Sequence, residues 1–170
     1  VYFNDIDANR IGELKKHLPE STSNFKVCVE VSDSSAFLYE IGSQLYKEKN
    51  LHFFLLYDPY DANINWNALH PFLENWGEIL LNHMLSDPIR ALKTTKCQEA
   101  REKYESTYLQ NISELLSFGS NKDAYTERIK NVIRKLKEDS YIAAFPFFNQ
   151  KNALLYELVH ITSSFEGFKL

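Results

Sequence analysis

The hydrophobic pattern of the first third of the chain alternates between strand-like and helix-like segments. Val1–Phe3 is short, apolar and β-favouring, and Phe25–Val31 alternates apolar and polar residues with the period of two that strands show. Between them, Ala8–Leu18 spaces its apolar residues at helical intervals, with Asp7 as a plausible N-cap. These segments predict a strand, a helix and a second strand.

The same alternation continues to about residue 86. A second helix is predicted to begin at Ser34 or Ser35, and Leu51–Tyr57 is a near-continuous apolar run, typical of a strand covered on both faces. A short helix is expected from Asn65, followed by a buried strand within Glu78–Leu85. The β-α-β-α-β-α-β order predicts an α/β fold with a parallel sheet and right-handed crossovers.

The remaining sequence divides into a helical part and a strand pair. Residues 87–138 are rich in charge and helical in pattern, with a break at Gly119–Asn121, and predict two or three helices. Two apolar stretches then flank the polar turn Asn149–Asn152, which predicts a terminal antiparallel hairpin, although a helix over the second stretch also fits. We therefore divide the chain into an α/β core (1–86 and 139–170) and a helical insertion (87–138).

Composition narrows the function classes. The 170 residues are most simply one domain, and 44% hydrophobic residues argue against disorder. A net charge of −4 argues against a basic nucleic-acid footprint. Only Cys28 and Cys97 occur, which supports neither a zinc ribbon nor a disulfide framework, and we expect Cys28 to be a core residue. No metal-ligand spacing and no apolar run of membrane length occur, so a cytoplasmic location without membrane contact is expected.

Three of the predicted strands end in an acid, namely Asp5, Asp33 and Asp58. Because ligands bind at the carboxyl ends of strands in open parallel sheets, these acids should lie along one rim. A carboxylate there can accept both ribose hydroxyls of a nucleoside or an adenine amino group. Pro59 ends the third strand by lacking an N–H, and Tyr60 then offers a flat ring for stacking.

The segments that carry these acids resemble motifs of Rossmann-like S-adenosylmethionine-dependent methyltransferases. The acids of "FNDID", "VSDSSAF" and "LLYDPYD" are 28 and 25 residues apart. The resemblance implies that Asp5 holds the cofactor ribose and Asp33 the adenine edge. "DPY" is similar to the Asp-Pro-Pro-Tyr motif of amino-methyltransferases. This similarity implies that Asp58 accepts a hydrogen bond from a target amine, such as the amino group of a nucleobase in a nucleic acid. Here Tyr60 stands at the third position and Asp61 follows.

A closer resemblance is to the three-Cys-motif partner protein family. It rests on "FFLLYDPYDANINWNAL", "EILLNHMLSDPIRAL" and "FPFFNQKNALLYELVHITSS", which extend from about Leu51 to the end, with "NDID" upstream. This resemblance implies a partner, a three-cysteine-motif protein similar to radical S-adenosylmethionine enzymes, and no established reaction. The alternative to a methyltransferase is therefore a non-catalytic interaction protein.

One part of the methyltransferase pattern is absent. Such folds open with a strand and a Gly-rich loop at the methionine end of the cofactor, whereas none of the five glycines here forms a GxG. We therefore expect a Rossmann-like methyltransferase-type sheet that lacks its first strand in this chain. The chain begins with Val1 inside strand-like sequence, so we expect further residues upstream in the parent protein.

Each candidate residue also has a purely structural interpretation. Asp5 can simply end a strand, Asp33 can cap a helix, and Asp58 can stabilise a turn. We expect His83 and His160 to be core histidines rather than ligands, and Trp66 to be a core aromatic residue. Asn82 near a strand end is a candidate for the rim, and Arg90 after Asp87–Pro88 can form a local salt bridge or contact a phosphate.

Overall fold

The computed structural model describes residues 1–47, 51–59 and 62–169 of the chain. Strands and helices alternate in its first half, a helical region follows, and two strands and a short helix end the chain. The strands are β1 (Tyr2–Asp5), β2 (Cys28–Val31), β3 (Phe53–Tyr57), β4 (Gly77–His83), β5 (Tyr141–Phe148) and β6 (Leu154–Thr162). The helices are α1 (Ala8–Lys15), α2 (Ser34–Leu45), α3 (Trp66–Glu74), α4 (Ser86–Ala91), α5 (Gln98–Tyr108), α6 (Ile112–Phe118), α7 (Lys122–Leu136) and α8 (Phe165–Phe168).

The strands form two sheets. Strands β1 and β2 pair in parallel, with Tyr2 opposite Cys28. The other four strands have the order β3-β4-β6-β5, in which β3 and β4 are parallel while β6 is antiparallel to both of its neighbours. The predicted α/β class, the parallel β3–β4 pair and the terminal antiparallel hairpin are confirmed.

The terminal hairpin forms because its turn satisfies its own polar groups. The side chain of Asn149 accepts from the backbone N–H groups of Lys151 and Ala153, at 2.9 Å each, and Asn152 adopts a positive φ of 58°. Asparagine tolerates this left-handed conformation better than most residues. The strand interpretation of Leu154–Thr162 is therefore confirmed over the helical one.

The expectation that β3 is covered on both faces is wrong. Phe53, Leu55 and Tyr57 point to the helices, whereas the alternate residues Phe54 and Leu56 are 65% and 59% exposed. Strand β3 also lies at the edge of its sheet rather than at the centre of one continuous sheet. An apolar run shows that a strand can be buried on both faces, but it does not show which elements cover it.

The second strand is shorter than its alternating pattern predicts. It spans Cys28–Val31 only, and Val31 is 47% exposed. Cys28 is exposed, so its expected place in the core is wrong. Helix α1 begins after its expected N-cap Asp7 but ends at Lys15, one turn before Pro19. The small β1–β2 sheet has few neighbours to pack on, which leaves its apolar side chains partly in water.

The helical region contains four helices, α4 to α7, rather than two or three, and its break at Gly119–Asn121 is observed. Its helices share one hydrophobic cluster with the four-stranded sheet and α3. The hydroxyl of Thr107 donates to the carbonyl of Ala62 at 2.6 Å and accepts from the N–H of Ile64 at 3.0 Å. The indole N–H of Trp66 donates to the Thr107 carbonyl at 2.8 Å, so Trp66 is a core residue, as expected.

The end of α7 is also bonded to the core. The ammonium group of Lys137 donates to the carbonyls of Leu73 and Asn75, where α3 ends. A lysine at this position satisfies carbonyl groups that the helix itself leaves unpaired. Burial lowers the pKa of Lys137. Among the described helices, none combines the length and the apolar character that crossing a lipid bilayer requires.

Candidate functional site

Strands β1 and β2 end side by side and are joined there by polar side chains. The amide group of Asn4 donates to the backbone carbonyl and to the hydroxyl of Ser32, at 3.0 and 2.8 Å. Asp5 follows Asn4 at the end of β1, and Asp33 follows Ser32 just after the end of β2. Because the strands are parallel, both acids lie at the same end of the small sheet, as the sequence predicts.

The carboxylate of Asp5 organises the turn into α1. Its Oδ1 accepts from the backbone N–H of Asp7 at 2.8 Å, and its Oδ2 lies 3.7 Å from a guanidinium nitrogen of Arg10. Asp7 in turn caps α1 by accepting from Asn9 and Arg10. Asp5 thus has the strand-ending role that its structural interpretation gives, while its Oδ2 faces a cation rather than the backbone.

Asp33 is the N-cap of α2. Its Oδ1 accepts hydrogen bonds from the backbone N–H groups of Ser35 and Ala36, at 3.0 and 3.1 Å. Oδ2 takes part in neither of these two bonds. The side chain is exposed. The structural alternative for Asp33 is therefore observed, and it places an accessible carboxylate at the start of a helix that follows the rim.

Asp58 and Pro59 follow the last residue of β3 and lie beside the end of β4. The side-chain amide of Asn82 donates to Asp58 Oδ1 at 2.6 Å, a short distance that is typical of a bond to a charged acceptor. Asp58 is exposed, whereas Pro59 is half-buried. Tyr60, the proposed stacking residue, lies outside the described residues. The candidate role of Asn82 at the rim thus gains a specific partner.

A hydrogen bond between helix starts brings the two sheets together at this end. The side-chain amide of Asn65, the N-cap of α3, donates to the hydroxyl of Ser35 in the first turn of α2 at 2.9 Å. Helix α2 follows β2, and α3 follows β3. The strand ends that carry Asp33 and Asp58 therefore face the same region of the molecule.

A buried polar cluster lies beneath the rim. His83, the last residue of β4, is 1% exposed, and its Nε2 lies 2.8 Å from the hydroxyl of Tyr108. Its Nδ1 is 3.5 Å from the carboxylate of Glu157, which also accepts from Thr126 at 2.8 Å. Burial, together with nearby Tyr125 and Glu157, raises the pKa of Tyr108 well above its ordinary value. His83 is thus a core histidine, as its apolar surroundings predict, with Nε2 bonded to Tyr108 and Nδ1 beside the Glu157 carboxylate.

Three residues of this cluster were not predicted from the sequence: Tyr108 and Glu157, which contact His83, and Thr126, which donates to Glu157. Glu157 alone carries a signal, since it is an acid within the apolar strand Leu154–Thr162, where a buried charge requires a partner. His160 on the same strand lies 3.2 Å from Glu78, so it too has a partner, as expected. Arg90 donates from Nε to the carbonyl of Ser86, which is a local bond but not the expected salt bridge.

Two buried atoms of the β4 end have no hydrogen-bond partner among the described residues, namely Asn82 Oδ1 and His83 Nδ1. Among all residues that the structure describes, no group of three or more His, Cys, Asp or Glu residues is arranged to hold a metal ion. The polar groups that the rim presents are the carboxylates of Asp33 and Asp58 and the amide of Asn82, which accept and donate hydrogen bonds.

Comparison with known proteins gives no relative from which to transfer a role. No family model matches the chain, and no curated protein and no solved structure shows significant similarity to it. The resemblances to methyltransferases and to the three-Cys-motif partner family therefore stay predictions from the sequence. The rim and its carboxylates carry the functional argument.

Proposed function

We propose that this protein is methyltransferase-like and uses S-adenosylmethionine to methylate an amino group, such as that of a nucleobase. The observation that carries the proposal is the Ser35–Asn65 hydrogen bond of 2.9 Å, which joins the helix starts behind two strand ends. It supports one ligand-binding rim that includes Asp33 and Asp58. Asp5 belongs to the same rim through the paired ends of β1 and β2.

The division of the strands into two sheets also supports this fold assignment. A doubly wound sheet with the order 3-2-1-4-5-6, if strand 1 is left out, separates into a pair 3-2 and a second piece that begins with strand 4. The chain has this arrangement, with β2-β1 in one sheet and β3-β4 beginning the other. In the methyltransferase resemblance, too, strand 1 is the strand that has no counterpart in this sequence.

The donor set of the rim fits the ribose and adenine end of the cofactor. Ribose hydroxyls and an adenine amino group are donors, and the Oδ2 atoms of Asp5 and Asp33 are acceptors that do not take part in the backbone bonds of their Oδ1 atoms. The methionine end has no matching feature, because this sequence contains no GxG loop. When bound, the cofactor supplies a methyl group on a positively charged sulfur.

In the proposed reaction Asp58 positions the amine. The side-chain amide of Asn82 donates to Oδ1 of Asp58 and so fixes the orientation of the carboxylate. The other oxygen, Oδ2, can then accept a hydrogen bond from one N–H of the target amine. The nitrogen lone pair would then be free to accept the methyl group as the methyl–sulfur bond breaks and leaves a neutral thioether, and the amine proton would pass to water. Positioning of this kind provides most of the catalysis of a bimolecular transfer.

A calorimetric titration of the protein with S-adenosylmethionine tests the proposal. We expect binding that Asp5→Ala weakens and that Asp58→Asn leaves unchanged, since Asp58 serves the amine rather than the cofactor. Asp139→Ala removes an exposed acid far along the chain and serves as the matched control. Absence of binding to the protein, or unchanged affinity of Asp5→Ala, would refute the cofactor assignment.

A second candidate function is a non-catalytic partner of a three-cysteine-motif protein. The observation that favours it is the exposed apolar face of the four-stranded sheet, to which β3 contributes Phe54 and Leu56 and β5 contributes Phe145 and Phe147. Exposed apolar patches of this kind often mark interaction sites. This candidate predicts no binding of S-adenosylmethionine and loss of partner binding on Phe54→Ser.

A further inference from the structure

A cavity of about 380 Å³ opens at the end of the four-stranded sheet opposite to Asp58. Its walls include Phe53 and Gly77, the first residues of β3 and β4, whereas Asp58 follows the last residue of β3. The volume is within the range of small-molecule sites, which is about 300–1,000 Å³. The cavity is thus separate from the rim on which the methyltransferase proposal depends.

Half of the residues that line the cavity carry a ring, namely His52, Phe53, Phe54 and Trp76. Trp76 is 61% exposed, and its ring centroid lies 4.6 Å from that of His52. The ring of Phe53 packs on Gly77, where a Cβ atom would lie only 2.5 Å from it, so glycine is required for this close approach. Phe54 completes the wall with a largely exposed ring. Such faces offer π-electron density to a ligand.

One carboxylate stands among these rings. The strand register places Glu78 between Phe54 on β3 and Thr162 on β6, on the exposed face of the sheet. Its Oε2 lies 3.2 Å from Nε2 of His160, and its side chain keeps 37% of its surface accessible. The carboxylate is thus held in place by a neighbour and still faces the cavity that it lines.

We propose that this cavity binds an organic cation with an apolar shell, such as a quaternary or methylated ammonium group. The negative faces of Trp76 and Phe54 attract a cation, and a ligand with methyl groups loses little hydration when it contacts them. Glu78 adds the opposite charge and disfavours phosphate and carboxylate ligands. The inference does not rest on the proposed methyl transfer, because it uses none of the rim residues.

Two histidines near the site set the conditions for a test. His52 packs against Trp76 with the two rings tilted by 55°, and His160 contacts Glu78, so a positive charge on either histidine would oppose a bound cation. All measurements are therefore made at one fixed, mildly alkaline pH. Ionic strength is held constant because added salt screens exposed charges.

Choline and its neutral isostere 3,3-dimethylbutan-1-ol are the matched probes. Binding is followed by ligand-observed NMR of the methyl protons, a signal that does not depend on tryptophan fluorescence. We expect choline to bind about tenfold more tightly than the neutral isostere, since only the cation gains from the aromatic faces and the carboxylate. Equal affinities, or no binding of choline, would overturn the proposal.

Variants locate the binding. We expect Trp76→Leu to weaken choline binding about 5- to 30-fold. Glu78→Gln should weaken it about fivefold, as a partly exposed charge would. Glu99→Gln makes the same change of charge on an exposed residue of α5 and should have no effect. Circular dichroism checks each fold, and Trp76→Phe replaces Trp76→Leu if the latter unfolds, with a smaller loss expected. Choline binding that none of the cavity variants changes would place the site elsewhere and refute the proposal.

Discussion

The side-chain amide of Asn82 donates a hydrogen bond of 2.6 Å to the carboxylate of Asp58, across the ends of two parallel strands. We expect the two residues to be energetically coupled. A double-mutant cycle with Asp58→Ala and Asn82→Ala should give a coupling of about 0.5–1.5 kcal/mol in the free energy of unfolding, because Asp58 is exposed and water competes for it. Urea unfolding measures it.

The same cycle has a built-in control. Asp33 is also an exposed rim acid, but its hydrogen bonds go to the start of α2 and not to Asn82. Asp33→Ala combined with Asn82→Ala should therefore give additive losses. A coupling between Asp58 and Asn82 within error of zero would mean that their hydrogen bond does not persist in solution.

Two helical glycines provide a matched pair for the packing of α2 on α3. A Cβ at Gly42 would lie 2.8 Å from Cβ of Pro71, whereas a Cβ at Gly12 in α1 meets nothing within 4 Å. Gly42→Ala should therefore destabilise the protein by about 1–3 kcal/mol through overpacking. Gly12→Ala should stabilise it by up to about 1 kcal/mol through helix propensity.

Thermal unfolding of both variants tests this expectation. Since the two substitutions add the same methyl group to a helix, the difference in sign isolates the α2–α3 contact. The Ser35–Asn65 bond belongs to the same helix pair, so Gly42→Ala should also loosen the rim. A stabilising Gly42→Ala would show that α2 and α3 do not pack as closely as described.

The buried hydroxyl of Tyr108 should contribute to stability through His83. Tyr108→Phe leaves His83 Nε2 buried without its partner, which should cost about 1–3 kcal/mol in the free energy of unfolding. Tyr39→Phe, which removes a hydroxyl from an exposed ring, is the control and should cost less than about 0.5 kcal/mol. Denaturant unfolding measures both, and equal losses would count against a buried Tyr108–His83 bond.

Alkaline pH should weaken the fold through its buried tyrosines. Burial raises the pKa of Tyr108 and of Tyr125, so the folded state binds more protons than the unfolded state above the ordinary tyrosine value. Their contribution is fully present below about pH 10 and is lost as the pH rises further. The share of the tyrosinate absorbance that Tyr108 and Tyr125 contribute should therefore rise together with the loss of secondary structure.

Lys137 acts in the opposite sense and must be separated from the tyrosines. Burial lowers its pKa below 10.5, so the unfolded state binds more protons there and stability rises with pH through that window. In Lys137→Met this rise is removed, and the alkaline loss should begin at lower pH. Tyrosinate absorbance that appears in full before any unfolding would contradict the burial of Tyr108.

Local sequence patterns predicted where helices and strands occur, but they did not predict which elements cover them. The hairpin and the cap at Asp7 follow from turn and capping chemistry within a few residues, and both are observed. The exposure of Phe54 and Leu56 was not predictable, because an apolar strand has the same sequence whether or not a neighbour covers it. The exposure of Cys28 has the same cause, since a buried face requires an element to pack on it.

The candidate site was predictable to the level of strand ends. Asp33 and Asp58 are found where parallel strands must end, and their positions follow from strand periodicity alone. The Ser35–Asn65 bond depends on how α2 packs on α3, and the cluster around His83 joins four distant elements. Neither leaves a local signal, apart from the acid Glu157 in its apolar strand.

The division into two sheets leaves edges that no strand pairs with among the described residues, including one edge each of β1 and β3. An unpaired edge presents a row of N–H and C=O groups to which another extended chain can add by main-chain bonds, whatever its side chains. On β3 that row lies next to the exposed rings and methyl groups of Phe54 and Leu56. Self-association by strand addition is therefore the form of aggregation to which this chain is most open.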